Sequence, residues 1–334
     1  MVEGGSFPAA RRVLLIGPSS PWRGRLAESL EGEEQIEAVV GFDSGEASRG
    51  PKRPGQGELA DQRSSIERIV EGARIDTVVD THLLVDSTVA PARELHENNV
   101  IVTNGILAAC SGLGSPVRRF VFKSSAHYYG CERDDPAFFT ETMVRSRPPR
   151  TRIERDVVEA EALVSDYAVK HPAVLVTVLR CAEVLGPGVE SAQTRLLGKP
   201  ATPTVLGFDP RCQFVHPDDV VGALGHVVLG ERAGIFNVAA DGVLSLSEVA
   251  ALLGRPIAPV LSPLATGLLA KPLRLLGVRV PDEIVGRLRF GGAVDNRLLK
   301  AHGFEYEYTS REAVQRLAEQ RHDSASGRAQ PRLH

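Results

Sequence analysis

Apolar residues along this chain gather in short β-branched runs, separated by stretches in which they recur with helical spacing. The runs Val13–Ile16, Ile36–Phe42, Ile75–Val79, Val117–Phe122 and Val174–Leu179 are rich in β-branched side chains and read as strands. Between them, Leu26–Leu30, Ile66–Val70 and Pro91–Cys110 carry helical spacing. The rhythm is repeated βα. Strands so poor in polar side chains are expected where both faces of a sheet are covered, so the pattern predicts an α/β, doubly wound parallel sheet with right-handed crossovers.

A further helix is predicted from Thr151, because Thr151 and Glu154 have the spacing of a capping box. After Gly186 the rhythm breaks. Prolines and glycines interrupt the chain as far as Pro210, and the shorter elements beyond suit a smaller mixed α/β lobe over the carboxyl edge of the sheet. The organisation read from this is a main α/β unit over 11–185 and a second lobe over 186–320, with 212–240 returning to the main unit. Residues 1–10 and 321–334 have too little apolar content to pack and read as mobile tails. The Gly/Pro-rich stretch Ser44–Gly57 reads as a surface loop, and no internal repeat is present.

Composition narrows the function. With 334 residues, 43% of them hydrophobic and 24% charged, the chain has the make-up of a folded globular protein rather than of a disordered or fibrous one. A net charge of −3 lacks the positive excess that phosphate neutralisation needs, which argues against nucleic-acid binding. The basic residues are 33 Arg and 6 Lys, an imbalance read as genomic base composition rather than as a binding surface. Cys110, Cys131, Cys181 and Cys212 are far apart, with no pair at metal-ligand spacing, so neither a metal site nor a disulfide framework is expected and a reduced cytoplasm is the simplest setting. The longest apolar stretch, Pro259–Ala270, is too short to span a bilayer and contains two prolines. It reads as a core or substrate-capping segment.

In an open α/β sheet a ligand is expected at the carboxyl ends of the strands, where the amides of the first helix face an anion. Here the first turn runs Gly17-Pro-Ser19-Ser20-Pro-Trp-Arg23-Gly24. Only the first glycine of a dinucleotide-binding turn is in place: Ser20 and Arg23 stand where glycines are called for, and Gly24 arrives one residue late. Ser19 and Ser20 could donate to phosphate and Arg23 or Arg25 could add charge, or the Ser20 side chain could crowd the turn. The second strand ends in Asp43. A carboxylate there accepts from an adenosine ribose and repels a 2′-phosphate, favouring NAD over NADP; the competing reading is a turn residue beside Ser44-Gly45.

The segment Val117-Arg-Arg-Phe-Val-Phe-Lys-Ser-Ser-Ala-His-Tyr-Tyr-Gly130, followed by Leu179-Arg180 through Glu183-Val-Leu-Gly186-Pro187, Gln213-Phe-Val-His216-Pro-Asp218-Asp219-Val220, Phe236-Asn237-Val238 and Asp295 through Gly303-Phe304, resembles the extended short-chain dehydrogenase/reductases, specifically the NAD-dependent epimerase/dehydratase branch. The order and spacing of these pieces cover nearly the whole ordered chain. The resemblance implies a Rossmann-like fold, NAD as cofactor and a small-molecule substrate such as a nucleotide sugar. It implies Ser125 as the substrate-orienting hydroxyl, Asp61 and Gln62 near the adenine, and Thr81 and His82 near the nicotinamide. It places Glu183 and Arg211 toward the substrate, Arg211 facing its diphosphate. It also implies a homodimer formed through the helix that begins at Thr151. For each residue a plainer role competes: Asp61 as a cap of the following helix, His82 as a strand end, Arg211 as a solvated loop charge.

One family feature is missing. The family's chemistry pairs a Tyr with a Lys four residues later, so that both share a helix face and the ammonium lowers the phenol's pKa. Tyr128, Tyr129, Tyr167, Tyr306 and Tyr308 are followed at that spacing by Glu132, Arg133, His171, Ser310 and Glu312, and none is Lys. By alignment through Glu161, Ile153 and Val157 take the two positions. Standard proton transfer is therefore expected to be impaired or carried otherwise. Lys123 is the substitute the sequence offers: it lies two residues before Ser125, so the two share a strand face, and a lysine within an apolar strand is expensive to bury unpaired. It would anchor a cofactor, carry a proton, or simply pair with a carboxylate such as Asp80. His127 and Tyr128 are lesser candidates, His127 being expected in solvent. The alternative to an enzyme is a non-catalytic relative that senses a dinucleotide or acts as a scaffold.

Overall fold

Each β-branched run predicted as a strand enters one parallel sheet. A computed structural model describes residues 10–18, 21–43, 56–112, 114–260 and 282–325. The strands β1 (Arg11–Gly17), β2 (Ile36–Asp43), β3 (Thr77–Asp80), β4 (Arg119–Ser125), β5 (Leu175–Cys181) and β10 (Gly234–Val238) form a six-stranded sheet in the order β10-β5-β4-β3-β1-β2. The chain leaves β1 toward β2 on one side and returns to β3 on the other, which opens a crevice at the carboxyl end of β1.

Alternation along β1 shows why its centre, Val13–Ile16, is apolar at every position. Leu14 and Ile16 join a core with helices α2 (Gln56–Gly72), α4 (Thr103–Cys110) and α5 (Arg152–Lys170), through Ile66, Val70, Ile106, Val157, Ala160 and Val164. Val13 and Leu15 point the other way, into a core with α1 (Pro21–Glu31) and α7 (Pro217–Leu229). Neither face of the strand meets water, as a doubly wound sheet requires.

The remaining chain builds the smaller mixed lobe. Its elements are β6 (Glu183–Val184), α6 (Ala192–Leu197), β7 (Thr202–Val205), β8 (Arg211–Cys212), β9 (Phe214–Val215), β11 (Leu244–Ser245), α8 (Leu246–Leu252), β12 (Ile257–Val260), α9 (Asp282–Phe290) and α11 (Ser310–Ala325), whereas α10 (Arg297–Ala301) returns to the main sheet, where Leu299 joins the core of α1 and α7. Two-residue strands pair β6 with β9 and β8 with β11, while β7 pairs with β12 over four positions. A third core, containing Leu185, Leu197, Phe214, Val249, Leu288 and Val314, holds the lobe together.

Three expectations need correction. The helical stretch Pro91–Cys110 is not one α-helix: α3 (Ala92–His96) widens into a π-helical segment, Glu97–Val102, before α4. The extra residue brings Asn99 to the loop after β3, where its Nδ2 donates to the Leu84 carbonyl and its Oδ1 accepts from the Leu84 N–H, both at 2.8 Å. The capping box at Thr151 is only half made. Thr151 Oγ1 accepts from the Glu154 N–H at 3.2 Å, but Glu154 Oε2 accepts from the Arg150 N–H and from Arg145 instead. Finally, residues 321–325 are no tail, because α11 runs to Ala325 and the Arg321 guanidinium donates to the Thr194 carbonyl. The other expected tail residues, 1–9 and 326–334, lie outside the described residues, as do most of the predicted Ser44–Gly57 loop and the apolar stretch beyond Val260.

Candidate functional site

The chain turns out of β1 at Gly17 with φ of +150°, a conformation that side chains disfavour, and a Cβ there would collide with the Thr81 hydroxyl. Thr81 is the cause of the squeeze. Its N–H and its Oγ1 both donate to the Ile16 carbonyl, at 2.8 and 2.9 Å, which draws the end of β3 against β1. Asp43 stands opposite Gly17 in the β1–β2 register. Arg23, in the first turn of α1, donates to the Gly17 carbonyl at 2.5 Å and to the Phe42 carbonyl at 3.2 Å, so a guanidinium bridges the tips of the two strands. A Cβ at Gly24 would meet open space, so Gly24 is not the glycine that lets helix pack on strand.

The other cofactor positions scatter. Ser19 and Ser20 lie outside the described residues. Asp61 and Gln62 sit within α2, which begins at Gln56, so Asp61 does not cap that helix; its side chain is exposed and that of Gln62 half-buried. His82 is fully buried. Its Nδ1 meets Asp80 Oδ1, and its Nε2 faces the Asn98 carbonyl at 3.0 Å and Thr103 Oγ1 at 3.2 Å. Both ring nitrogens are therefore engaged inside the protein, and the His82 side chain serves the core.

Ser125 ends β4 and caps a short 3₁₀ turn, Ala126–Tyr128. That turn swings His127 back over the serine, and both side chains are buried. Ser125 Oγ lies 2.8 Å from His127 Nδ1 and accepts from the His127 N–H at 3.3 Å. The far nitrogen, Nε2, faces Glu183 Oε1 at 3.8 Å, and the same oxygen lies 3.3 Å from Nη1 of Arg287 on α9. Burial, reinforced by the Arg287 charge, holds the His127 pKa well below its ordinary value, so the ring is neutral at pH 7. The expectation of a solvated His127 is thus corrected. Its position two residues past Ser125 was the only signal available; for Arg287, distant in the chain, there was none.

Lys123 is half-buried on β4, opposite Leu179 of β5. Next to it, Ser124 donates to Glu161 of α5, and Glu161 forms a buried ion pair with Arg180 of β5. The Arg180 guanidinium in turn lies 3.4 Å from the centre of the Tyr128 ring. Tyr129 Oη donates to Asn237 Oδ1 at 2.8 Å, which ties the turn after β4 to β10.

Glu183 and Arg211 do come together. Both border a small cavity that also touches Gln193 and Arg287. Arg211 further lines a cavity of about 390 Å³ with Cys131, Asp135, Phe208 and Arg289, and the Arg289 guanidinium stands 5.3 Å from the Phe208 ring centre. Gly291, at φ of +75°, lets the end of α9 close on the Arg211 backbone, where a Cβ would clash. The result is a partly aromatic recess of mixed charge beside the Ser125 cluster, with Arg133, Arg211 and Arg289 set among Glu132, Asp135 and Asp209. Ile153 and Val157, by contrast, are fully buried in the core shared by α5 with Ile106 and Phe122.

Comparisons with known proteins bear on the family and the fold. The sequence profile described as the NAD dependent epimerase/dehydratase family matches residues 24–239. An uncharacterised protein of Mycobacterium tuberculosis is 33% identical over 256 residues, covering 74% of this chain and 67% of that protein. Among solved structures, UDP-glucose 4-epimerase from Thermotoga maritima, determined with UDP-glucose, superposes with a TM-score of 0.68 at 18% identity, over 94% of this chain and 99% of that one. dTDP-glucose 4,6-dehydratase from Bacillus anthracis, in complex with NAD, gives 0.64 at 16% identity over 95% and 98%. A Pseudomonas aeruginosa protein complexed with NADPH gives 0.64 at 17% identity over 93% and 98%.

Proposed function

The chain belongs to the NAD dependent epimerase/dehydratase family, and from that premise we propose that it binds a nicotinamide dinucleotide at the carboxyl edge of the sheet and a nucleotide sugar or related small molecule in the recess beside it. The observation that carries the reading is the convergence of Gly17, Arg23 and Asp43 at one end of the edge with Ser125, Glu183 and Arg211 at the other.

The residues fit the phosphate end of a dinucleotide. Arg23 places a cation between the tips of β1 and β2, in the first turn of α1. Asp43 would accept from a ribose hydroxyl and disfavour a 2′-phosphate, which supports NAD over NADP. Thr81 shapes the crevice through its grip on Ile16, and neither its hydroxyl nor the His82 ring is offered to a ligand. When bound, the nicotinamide supplies a hydride acceptor. The chain's part is to orient a substrate hydroxyl at Ser125 Oγ and to hold the diphosphate by charge at Arg211 and Arg289. Lys123, on the Ser125 face of β4, supplies a further cation toward the same end.

A second reading, a non-catalytic dinucleotide sensor or scaffold, is favoured by one observation: Ile153 and Val157 are packed as core where the family's proton-carrying pair would stand. Calorimetric titration with NAD and NADP tests the premise of both. Binding weaker than about millimolar, roughly −4 kcal/mol, for both dinucleotides removes it. Given binding, turnover of UDP-glucose or another nucleotide sugar that falls in Ser125→Ala and Lys123→Ala supports the enzyme, and no turnover supports the sensor.

A further inference from the structure

We propose that His127 is the proton partner of Ser125, with Glu183 as the counter-charge that steadies its cation and Arg287 as the latch on Glu183. The proposal deepens the enzymatic reading above, since it concerns the same hydroxyl.

The proposal gives the proton a direction. Ser125 Oγ accepts from the His127 N–H and, in the proposed state, directs its own hydrogen at Nδ1, 2.8 Å away. The ring is then the tautomer protonated at Nε2, and that N–H faces Glu183 Oε1 at 3.8 Å, beyond hydrogen-bond distance. What holds Glu183 back is Arg287, 3.3 Å from the same oxygen. Among the described residues, charges also approach this turn from Arg145, which reaches the His127 carbonyl at 3.5 Å, from Glu154, which neutralises Arg145, and from Arg180, which lies over the Tyr128 ring and is paired with Glu161. Arg145 and Glu154 lie on the backbone side. The Glu183–Arg287 pair is therefore the one that acts on Nε2.

The step relays one proton from the substrate to His127 through Ser125, and it leaves an electron pair on the substrate oxygen that would form a carbonyl as the nicotinamide dinucleotide of the reading above takes hydride from the adjoining carbon. A substrate hydroxyl at Ser125 gives its proton to Oγ as the serine gives its own to His127 Nδ1; one substrate O–H and one serine O–H break, and a new serine O–H and an N–H form. The imidazolium so made faces Glu183. An anionic substrate group drawn to Arg287, which lines the same small cavity as Arg211, would loosen the latch and free Glu183 to approach. Proton acceptance would thus be coupled to occupancy of the recess.

The test is imidazole nitrogen NMR on the full chain with ¹⁵N-labelled histidine, titrated in pH. In the wild type, His127 should be the Nε2-protonated neutral tautomer. Arg287→Gln should raise its pKa by roughly one unit or more, and Glu183→Gln should not. UDP, added as a diphosphate probe, should shift the wild-type ring in the same direction as Arg287→Gln. A ring protonated at Nδ1 in the wild type, or a pKa unmoved by Arg287→Gln in a protein that still melts cooperatively, overturns the proposal. Where UDP-glucose is turned over, the acid limb of the rate–pH profile should move with the NMR pKa in Arg287→Gln, and a limb that stays put also overturns it. Absence of turnover with an NMR response as expected sinks the enzymatic reading instead and leaves the proton partnership standing.

Discussion

Glu161 and Arg180 form an ion pair from which water is excluded: Arg180 Nη2 donates to Glu161 Oε2 at 2.7 Å and Nε reaches both carboxylate oxygens, while Ser124 donates to Oε1. The pair joins α5 to β5 directly beneath the turn that carries Ser125 and His127, and Arg180 extends it by lying over the Tyr128 ring. Burial raises the Glu161 pKa, and the Arg180 charge works against that rise. Replacing Arg180 by Leu should therefore leave a buried carboxylate unpaired and cost about 3–5 kcal/mol in urea denaturation. The double variant Arg180→Leu, Glu161→Leu should recover much of the loss; a double variant as unstable as the single would show that the pair is not the cause.

Asp219 predicts a pH dependence. Burial lifts its pKa to about 6, against N–H bonds from Glu307 and Tyr308 that pull it down. A carboxyl whose pKa is higher in the fold than in the unfolded chain binds its proton more tightly when folded. Its contribution is complete below the ordinary carboxyl range and is lost as the pH rises through about 6. Thermal melts of the wild type against Asp219→Asn between pH 4 and pH 7 should show the variant gaining relative to the wild type across that window, and parallel curves would rule the assignment out.

Cofactor choice should rest on Asp43. Wild-type protein is expected to bind NAD more tightly than NADP by roughly tenfold or more, about 1.4 kcal/mol, and Asp43→Asn should narrow that gap mainly by improving NADP. Calorimetry on both proteins reads the ratio, which should not change if Asp43 is only a turn residue.

Putting the family's pair back should harm the fold. Ile153 and Val157 are 1% and 0% exposed. Val157→Lys buries an amine among Ile106, Phe122 and Ala160 and should cost roughly 3 kcal/mol or more, whereas Ile153→Tyr should cost about 1–3 kcal/mol from overpacking. A Val157→Lys protein as stable as the wild type would mean that the position opens to a cleft able to hydrate the ammonium.

The order of elements was legible in the chain because a strand covered on both faces must be apolar at consecutive positions, and Val13–Ile16 and Phe120–Phe122 meet that demand without tertiary information. The identity of the family was legible for a related reason: motifs such as Lys123-Ser-Ser125 through Gly130 keep their neighbours in sequence as well as in space. The lack of a Tyr–Lys couple could likewise be read by inspection of five tyrosines. What the sequence could not reveal was which polar groups face one another. His82 and His127 both follow strands beside polar residues, yet one is locked into the core by Asp80, Asn98 and Thr103 while the other bends over Ser125. Only the packing of the Ala92–Cys110 helical stretch against the loop after β3 and the 3₁₀ turn after β4 separates them. Arg287 reaches Glu183 from an element more than a hundred residues away, and the Asn99 clamp needs a π-helical residue that no periodicity announces. Hydrophobic pattern is a local property, fixed by whether a segment is covered. The partners of a buried polar side chain are set by where distant elements land, and that was decided by the folded structure alone.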